Sequence, residues 1–266
     1  MRDRYESPLC ERYASARMQY IFSPDFKFTS WRKMWLYLAE AEKELGLDIT
    51  DEQLDEIRAH LNDVDYDAAA AYEKRLRHDV MAHLRAFADQ CPKAGPILHL
   101  GATSCYVGDN TDVWQLSEAL KSLRGQLLGV MAALSDFALK NADVPTLAYT
   151  HFQAAQPTTV GKRATLWLQD FLMDFDRLTF ELSRLKPLGC KGTTGTGASF
   201  LMLFNGDESK VRALEGLIAR KMGFESCVAV SGQTYTRKVD AFVLNVLSGI
   251  AQSASKMATD LRLLSH

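Results

Sequence analysis

A chain of 266 residues is long enough for one large or two ordinary domains, each with its own core, so size alone requires no disulfide or metal staple. Its 31 Lys and Arg nearly cancel its 33 Asp and Glu, leaving no global field to recruit nucleic acid or an anionic membrane; any anion site is local. Five scattered cysteines, Cys10, Cys91, Cys105, Cys190 and Cys227, contain no C-x-x-C pair for zinc or redox work and read as reduced thiols of a cytoplasmic protein. The charged start MRDRYESPLCERY has no apolar signal region, and the best apolar stretch, Leu127 to Leu139, is broken by Ser135 and Asp136, so no membrane span is expected.

The pattern is helical nearly throughout, which predicts an all-α fold. Trp31, Trp35, Leu38 and Leu45 share one face of a segment that Ser30 can cap and Gly46 can stop. The next helix begins at Thr50, with Gln53 three residues on as a capping box. From Tyr66 to Gln90 an Ala-rich and then basic stretch reads as one longer helix, and these three segments make a compact N-terminal layer. Between Cys91 and Asn110, Pro92, Gly95, Pro96, Gly101 and Gly108 predict a loop-rich connection, with the domain boundary near its end. The expected division is an N-terminal helical domain, 1–110, and a long-helix bundle domain, 111–266.

Three periodic segments free of internal proline follow, Thr111 to Asn141, Thr158 to Lys186 and Thr234 to Leu264. About 30 residues at 1.5 Å each span about 45 Å, a length that suits a bundle with subunits sharing the core. AYTHFQAAQP (148–157) and GCKGTTGTGASF (189–200) read as the loops that punctuate them, and CVAVSG (227–232) as a short extended piece. The final LRLLSH is still apolar-periodic, without a Gly or Pro stop, which reads as a cut in mid-element.

Several clusters carry chemistry, and each has a plainer alternative. His78 in EKRLRHDVMAH follows Lys74, Arg75 and Arg77 and precedes Asp79; the cations suit an anionic substrate and favour neutral imidazole, or the segment is a solvated basic face with one core histidine. His78 and His83, five residues apart, would lie about 140° round a helix, which is wrong for a shared metal. In HLGATSCYVGDN, Thr103 and Ser104 follow a glycine and suit carboxylate or phosphate binding near a helix N-terminus, while Asn110 or Thr111 suits its cap. His151, between Thr150 and Gln153, can donate a proton to a leaving group or be an ordinary loop histidine. KGTTGTGAS lacks the order of a phosphate-cradling loop and is either a lid that binds carboxylate or a turn. Gln233 in GQTYTRK is a candidate amide reader, with helix capping by Thr234 as the alternative. With no G-x-S-x-G elbow and no thiol–His signature, nucleophilic catalysis is disfavoured.

In this order, RHDVMAH, HLGATSCYVGDN, THFQAAQPTTVGKR, KGTTGT and GQTYTRKVD resemble the fumarase/aspartase superfamily and, within it, the adenylosuccinate lyase branch, over essentially all of residues 5–266. The resemblance implies a homotetramer whose long helices form a shared core, with active sites assembled from three subunits. It implies elimination of fumarate from adenylosuccinate, giving AMP, and from succinylaminoimidazole carboxamide ribotide in purine biosynthesis, with neither metal nor organic cofactor. Arg12 and Tyr13 correspond to a nucleotide-binding pair. Arg77, His78 and Asp79 correspond to a binding cluster whose histidine also supports catalysis. Thr103 and Ser104 correspond to ligands of the succinyl carboxylates, Gln233 to a substrate-binding amide, and His151 to the general acid. The base, in the family a serine on a mobile loop, is expected beyond residue 266, so this chain alone is expected to be inactive. The competing expectations are a sister lyase acting on argininosuccinate or a dicarboxylate, and a non-catalytic helical assembly protein.

Overall fold

A computed structural model describes residues 7–265, so Met1–Glu6 of the charged N-terminal stretch and His266 lie outside the described residues. The chain folds as eleven described α-helices, one 3-10 turn and one two-stranded hairpin. Among the described residues no helix is long and apolar enough to cross a membrane. The chain divides into two compact units, one formed by residues up to Glu118 together with Lys186–Thr236, the other by Ala119–Leu185 with the residues from Arg237 on. The division expected at residue 110 is a boundary of a different kind. Residue 110 lies inside a helix that runs from Ser104 to Lys140, and packing puts 186–236 with the first unit.

In the first unit, α1 (Pro8–Arg12) and α2 (Ala16–Ile21) precede α3 (Pro24–Glu44). The cap of α3 is Ser23, whose Oγ accepts from Phe26 N–H at 3.2 Å, followed by Pro24 at the first helical position. Ser30, expected as the cap, is instead inside the helix and buried, because Ser23-Pro-Asp supplies a stronger start about two turns earlier. The buried face of α3 carries Trp31, Met34, Trp35 and Leu38, and Gly46 at φ +95° turns the chain away at its end. α4 (Asp51–Ala59) starts with the Thr50/Gln53 capping box that the sequence predicts.

The long helix expected over 66–90 is two helices, α5 (Tyr66–Leu76) and α6 (Asp79–Gln90). Arg77 takes the left-handed conformation at φ +56°, and His78 caps α6 with its own ring, Nδ1 accepting from Met81 N–H at 3.4 Å. The charges match this break: Lys74 and Arg75 lie at the C-terminal end of one dipole and Asp79 at the N-terminal end of the next. His83 stacks on Phe28, with ring centroids 3.7 Å apart, and burial pushes its pKa down to about 4, so it is a neutral core residue.

After a 3-10 turn at Gly95–Ile97, α7 (Ser104–Lys140) begins seven residues earlier than expected and runs for 37 residues, about 56 Å. Gly108, Asp109 and Asn110 lie inside it and cap nothing. The last two of these spend their side chains on bonds to loops distant in sequence. α9 (Ala198–Leu203) and α10 (Glu208–Lys221), the latter capped by Asp207, complete this unit, with Phe200, Leu214 and Ile218 fully buried against α3 and α6. Residues 227–232, expected to be extended, form bends without a strand.

In the second unit the remainder of α7, α8 (Val160–Arg184) and α11 (Lys238–Leu264) are the expected rods. Trp167 Nε1 donates to Asp260 Oδ2 at 2.8 Å, and Ala138, Ala164 and Trp167 form a small core. Residues 148–157 are largely a hairpin, where the sequence reading expected a loop. β1 (Pro145–Thr150) pairs antiparallel with β2 (Gln153–Thr159), closed by His151 and Phe152 at φ +52° and +59°. Two consecutive left-handed residues are what a tight type I′ connection needs, and His-Phe gives none of the Asn-Gly signal that usually marks one.

Two stability predictions follow from this packing. Glu42 on α3 is fully buried, neither carboxylate oxygen has a hydrogen-bond partner, and burial raises its pKa from 4.5 to about 8. Because the folded pKa is raised, the folded state keeps a proton that the unfolded chain loses between 4.5 and 8; stability is fullest below that window and falls as pH rises through it. Glu42→Met removes this dependence, so in urea unfolding its stability relative to the native sequence improves between pH 5 and pH 8 by up to ~4 kcal/mol. Gly161 at the start of α8 is also constrained, since an added Cβ would lie 2.3 Å from Ala138 O and 2.9 Å from Ala142 Cα. Gly161→Ala is therefore expected to lower stability by about 1–3 kcal/mol in the same measurement.

Candidate active site

The break between α5 and α6 and the start of α7 bring two motifs into contact. His78 Nε2 lies 3.1 Å from Ser104 Oγ, across 26 residues of sequence. Since Nδ1 accepts from Met81 N–H, the proton of a neutral ring sits on Nε2 and is donated to Ser104 Oγ. The Ser104 hydroxyl hydrogen is then left to point at a ligand. Ser104 is the first residue of α7, where unpaired backbone N–H groups and the positive end of the dipole favour an anion, and Thr103 precedes it. Asp79 Oδ1 accepts from Val80 N–H at 2.8 Å and stands 3.6 Å from His78 Nδ1. Arg77 is exposed and borders a shallow depression with Ala70, Glu73 and Lys74.

His99 was absent from the sequence reading as a site residue. It is half-buried at φ +68°, its Nδ1 accepts from Trp35 Nε1–H at 2.9 Å, and desolvation, then the charge of nearby His78, pushes its pKa down to about 4. It is thus a neutral ring locked in one tautomer beside the His78 cluster. The only sequence signal was a histidine before the glycine turn of HLGATS, which reads equally well as a loop residue.

Glycines bring loop 189–197 against its neighbours. Gly101, at φ +62°, sits where a Cβ would be 2.7 Å from Leu203 Cδ1, and its carbonyl accepts from Ser199 Oγ at 2.5 Å. Gly195, at φ +83°, lies where a Cβ would be 1.9 Å from Ser231 O, so the KGTTGTG segment touches the segment that carries Gln233. Lys191 is buried at the base of this loop and paired with Glu215 at 2.6 Å. Gln233 is exposed, as are Arg12 at the end of α1 and Tyr13 after it, all within the first unit.

His151 belongs to the second unit. It is exposed at the tip of the hairpin, next to Phe152, which is 86% exposed, and among the described residues no side chain bonds to its ring. The structure therefore joins His78 directly to Ser104 and leaves His151 on a protruding turn. Among the described residues no group of three His, Cys, Asp or Glu side chains is gathered as for a metal ion.

A sequence model described as lyase matches residues 23–266. The adenylosuccinate lyases of Schizosaccharomyces pombe and Saccharomyces cerevisiae are each 48% identical to this chain, over 98% and 99% of it and 55% of their own length. The chain thus spans about half the length of the curated relatives it matches. A solved structure, the 3-carboxy-cis,cis-muconate lactonizing enzyme from Pseudomonas putida, superposes with a TM-score of 0.84 at 24% identity, over 98% of this chain and 59% of that one. At that identity the likeness is one of fold, and it agrees with the all-α, long-helix architecture. With the family match covering nearly the whole chain, and with relatives 48% identical along it, the chain belongs to the lyase family.

Proposed function

We propose that the protein carrying this chain is an adenylosuccinate lyase, which eliminates fumarate from adenylosuccinate to give AMP, and from succinylaminoimidazole carboxamide ribotide, by general acid–base catalysis. The observation that carries this reading is the His78–Ser104 hydrogen bond at the N-terminus of α7, which joins the expected binding cluster around His78 to the expected ligands of the succinyl carboxylates. Similarity to relatives named for that activity supports it independently.

The reaction removes a proton from carbon next to a carboxylate and then breaks a carbon–nitrogen bond. In the first step negative charge builds on the carboxylate as an aci-carboxylate. Donors already aimed there stabilise it most: the hydroxyls of Thr103 and Ser104 and the N-terminal N–H groups of α7. His78 donates to Ser104 Oγ and so orients that hydroxyl, with Asp79 Oδ1 3.6 Å from the other ring nitrogen. Arg77, with Arg12 and Tyr13, supplies cationic and aromatic recognition of a nucleotide monophosphate, and Gln233 reads a polar edge of the substrate. In the second step the departing nitrogen takes a proton, and His151 is assigned as its donor. None of the residues named here is assigned as the base. No step assigned to these residues calls on a metal or an organic cofactor.

The hairpin supports delivery of His151 to another copy. An isolated two-stranded hairpin is marginal by itself, and this one is exposed along most of both strands. The rods also leave Phe137, Leu139, Met173, Phe180, Leu244 and Leu263 exposed, an apolar surface that suits burial in a homotetramer. Five free cysteines fit a cytoplasmic location.

The test is fumarate release by the complete gene product with each substrate, and an inert protein would end the assignment. In that protein His151→Ala is expected to lower kcat about 10²–10⁴-fold while AMP binding, measured by calorimetry, persists. Unchanged turnover would remove His151 from its role.

A further inference from the structure

We propose that Asp109 and Asn110 are positioning residues: from the second turn of α7 they fix the backbone of loops 189–197 and 231–236, and so set where Gln233 stands relative to Ser104. The inference rests on the functional reading above and deepens it, by naming what holds that site in register.

Asp and Asn are poor choices for a helix interior, where they compete with the backbone for hydrogen bonds. Here both are buried, at 5% and 0% exposure, and both side chains reach across the unit. Asn110 Nδ2 donates to Gly189 O at 3.2 Å and to Tyr106 O at 2.7 Å, while Asn110 Oδ1 accepts from Gly189 N–H at 2.9 Å. One carboxamide thereby satisfies both backbone groups of a single residue, as a bridge partner in a sheet would. An apolar side chain could fill the same space but would leave the N–H and C=O of Gly189 buried and unpaired. Asp109 Oδ2 accepts from Tyr235 N–H at 2.8 Å, and Tyr235 is itself buried.

The loops so held cannot slide. Gly189 is at φ +81°, with room for a Cβ denied by Cys227 Sγ at 2.8 Å and Cys227 Cβ at 2.9 Å. Gly195 abuts Ser231 O, so the two loops touch each other as well as α7, and within the first loop Gly197 N–H donates to Lys191 O at 2.8 Å. Gln233 is two residues from the Tyr235 anchor. Ser104, five residues before Asp109, is about 7.5 Å away along the helix axis. A single rigid helix therefore presents the carboxylate-binding hydroxyl at its tip and holds the amide-bearing loop one to two turns behind it. Displacing that loop by about 1 Å is enough to weaken recognition strongly. The proposed acid, His151, lies on another segment, so substrate binding suffers more than chemistry.

The experiment is steady-state kinetics of the complete protein with adenylosuccinate, alongside circular dichroism and thermal melting, for the native sequence, Asn110→Ala, Asn110→Ser, Asp109→Ala and Gly189→Ala. Leu54→Ala, a buried substitution in α4, serves as a control for lost stability alone. The expected result is a KM raised about tenfold or more in every positioning variant that folds, with kcat changed less than about threefold, and a native KM in Leu54→Ala. Should Asn110→Ala fail to fold, Asn110→Ser and Asp109→Ala carry the same expectation. Folded variants with a native KM, or a KM that rises equally in Leu54→Ala, overturn the inference and leave the functional reading standing. A native protein inert with both succinylated substrates overturns the functional reading and this inference with it.

Discussion

The first turns of α7 are the constraint on which the first unit depends. The helix begins at Ser104 because the backbone turns sharply at His99 and Gly101, both left-handed, and the space that frees is filled by Leu203 and Phe200. From that start four contacts fan out: His78 to Ser104, Ser199 to the carbonyl of Gly101, Tyr235 to Asp109, and Gly189 to Asn110. They draw in segments from about 25 to 125 residues away. None is a strong interaction in isolation, since a net hydrogen bond contributes about 1 kcal/mol. Their weight is in buried geometry, because breaking one strands a backbone group where water does not reach.

The aromatic core of α3, α6 and α10 gives this arrangement a rigid base. Trp31 and Trp35 pack edge-to-face, and Trp35 does double work by donating to His99. Arg32, almost fully buried, bonds to Gln90 and Asp63 and stacks on Phe87, which locks the C-terminal end of α6 to α3. In the second unit the economy differs. Its described core is small, and long helices leave large apolar side chains in water, a state that calls for a further surface to cover them.

Much of this was legible in the residues. The rods follow from long proline-free periodicity, and the Thr50/Gln53 box from a local rule that needs no tertiary context. What failed had tertiary causes. Asn110 looks like a cap because such residues usually serve the nearest backbone, and only the fold reveals that its partner is Gly189 and that the neighbouring Asp109 bonds to Tyr235. The break at Arg77–His78 is invisible to helix periodicity, although the switch from basic to acidic residues marked it. The His151–Phe152 turn carries no glycine or asparagine to announce two left-handed residues. His83 and His78, both in RHDVMAH, look alike on paper. Stacking on Phe28 makes one a core ring, and the chain break makes the other a cap.

The central claim is that the His78–Ser104 cluster and His151 act in one site contributed by different copies of the chain. Co-expression of two separately inactive complete proteins, His78→Ala and His151→Ala, tests it most directly, because a mixed assembly would contain some sites with both native groups. The account predicts that fumarate release reappears in the co-expressed assembly well above either parent. Parents that are inert alone and remain inert together, although they form mixed assemblies, would contradict it.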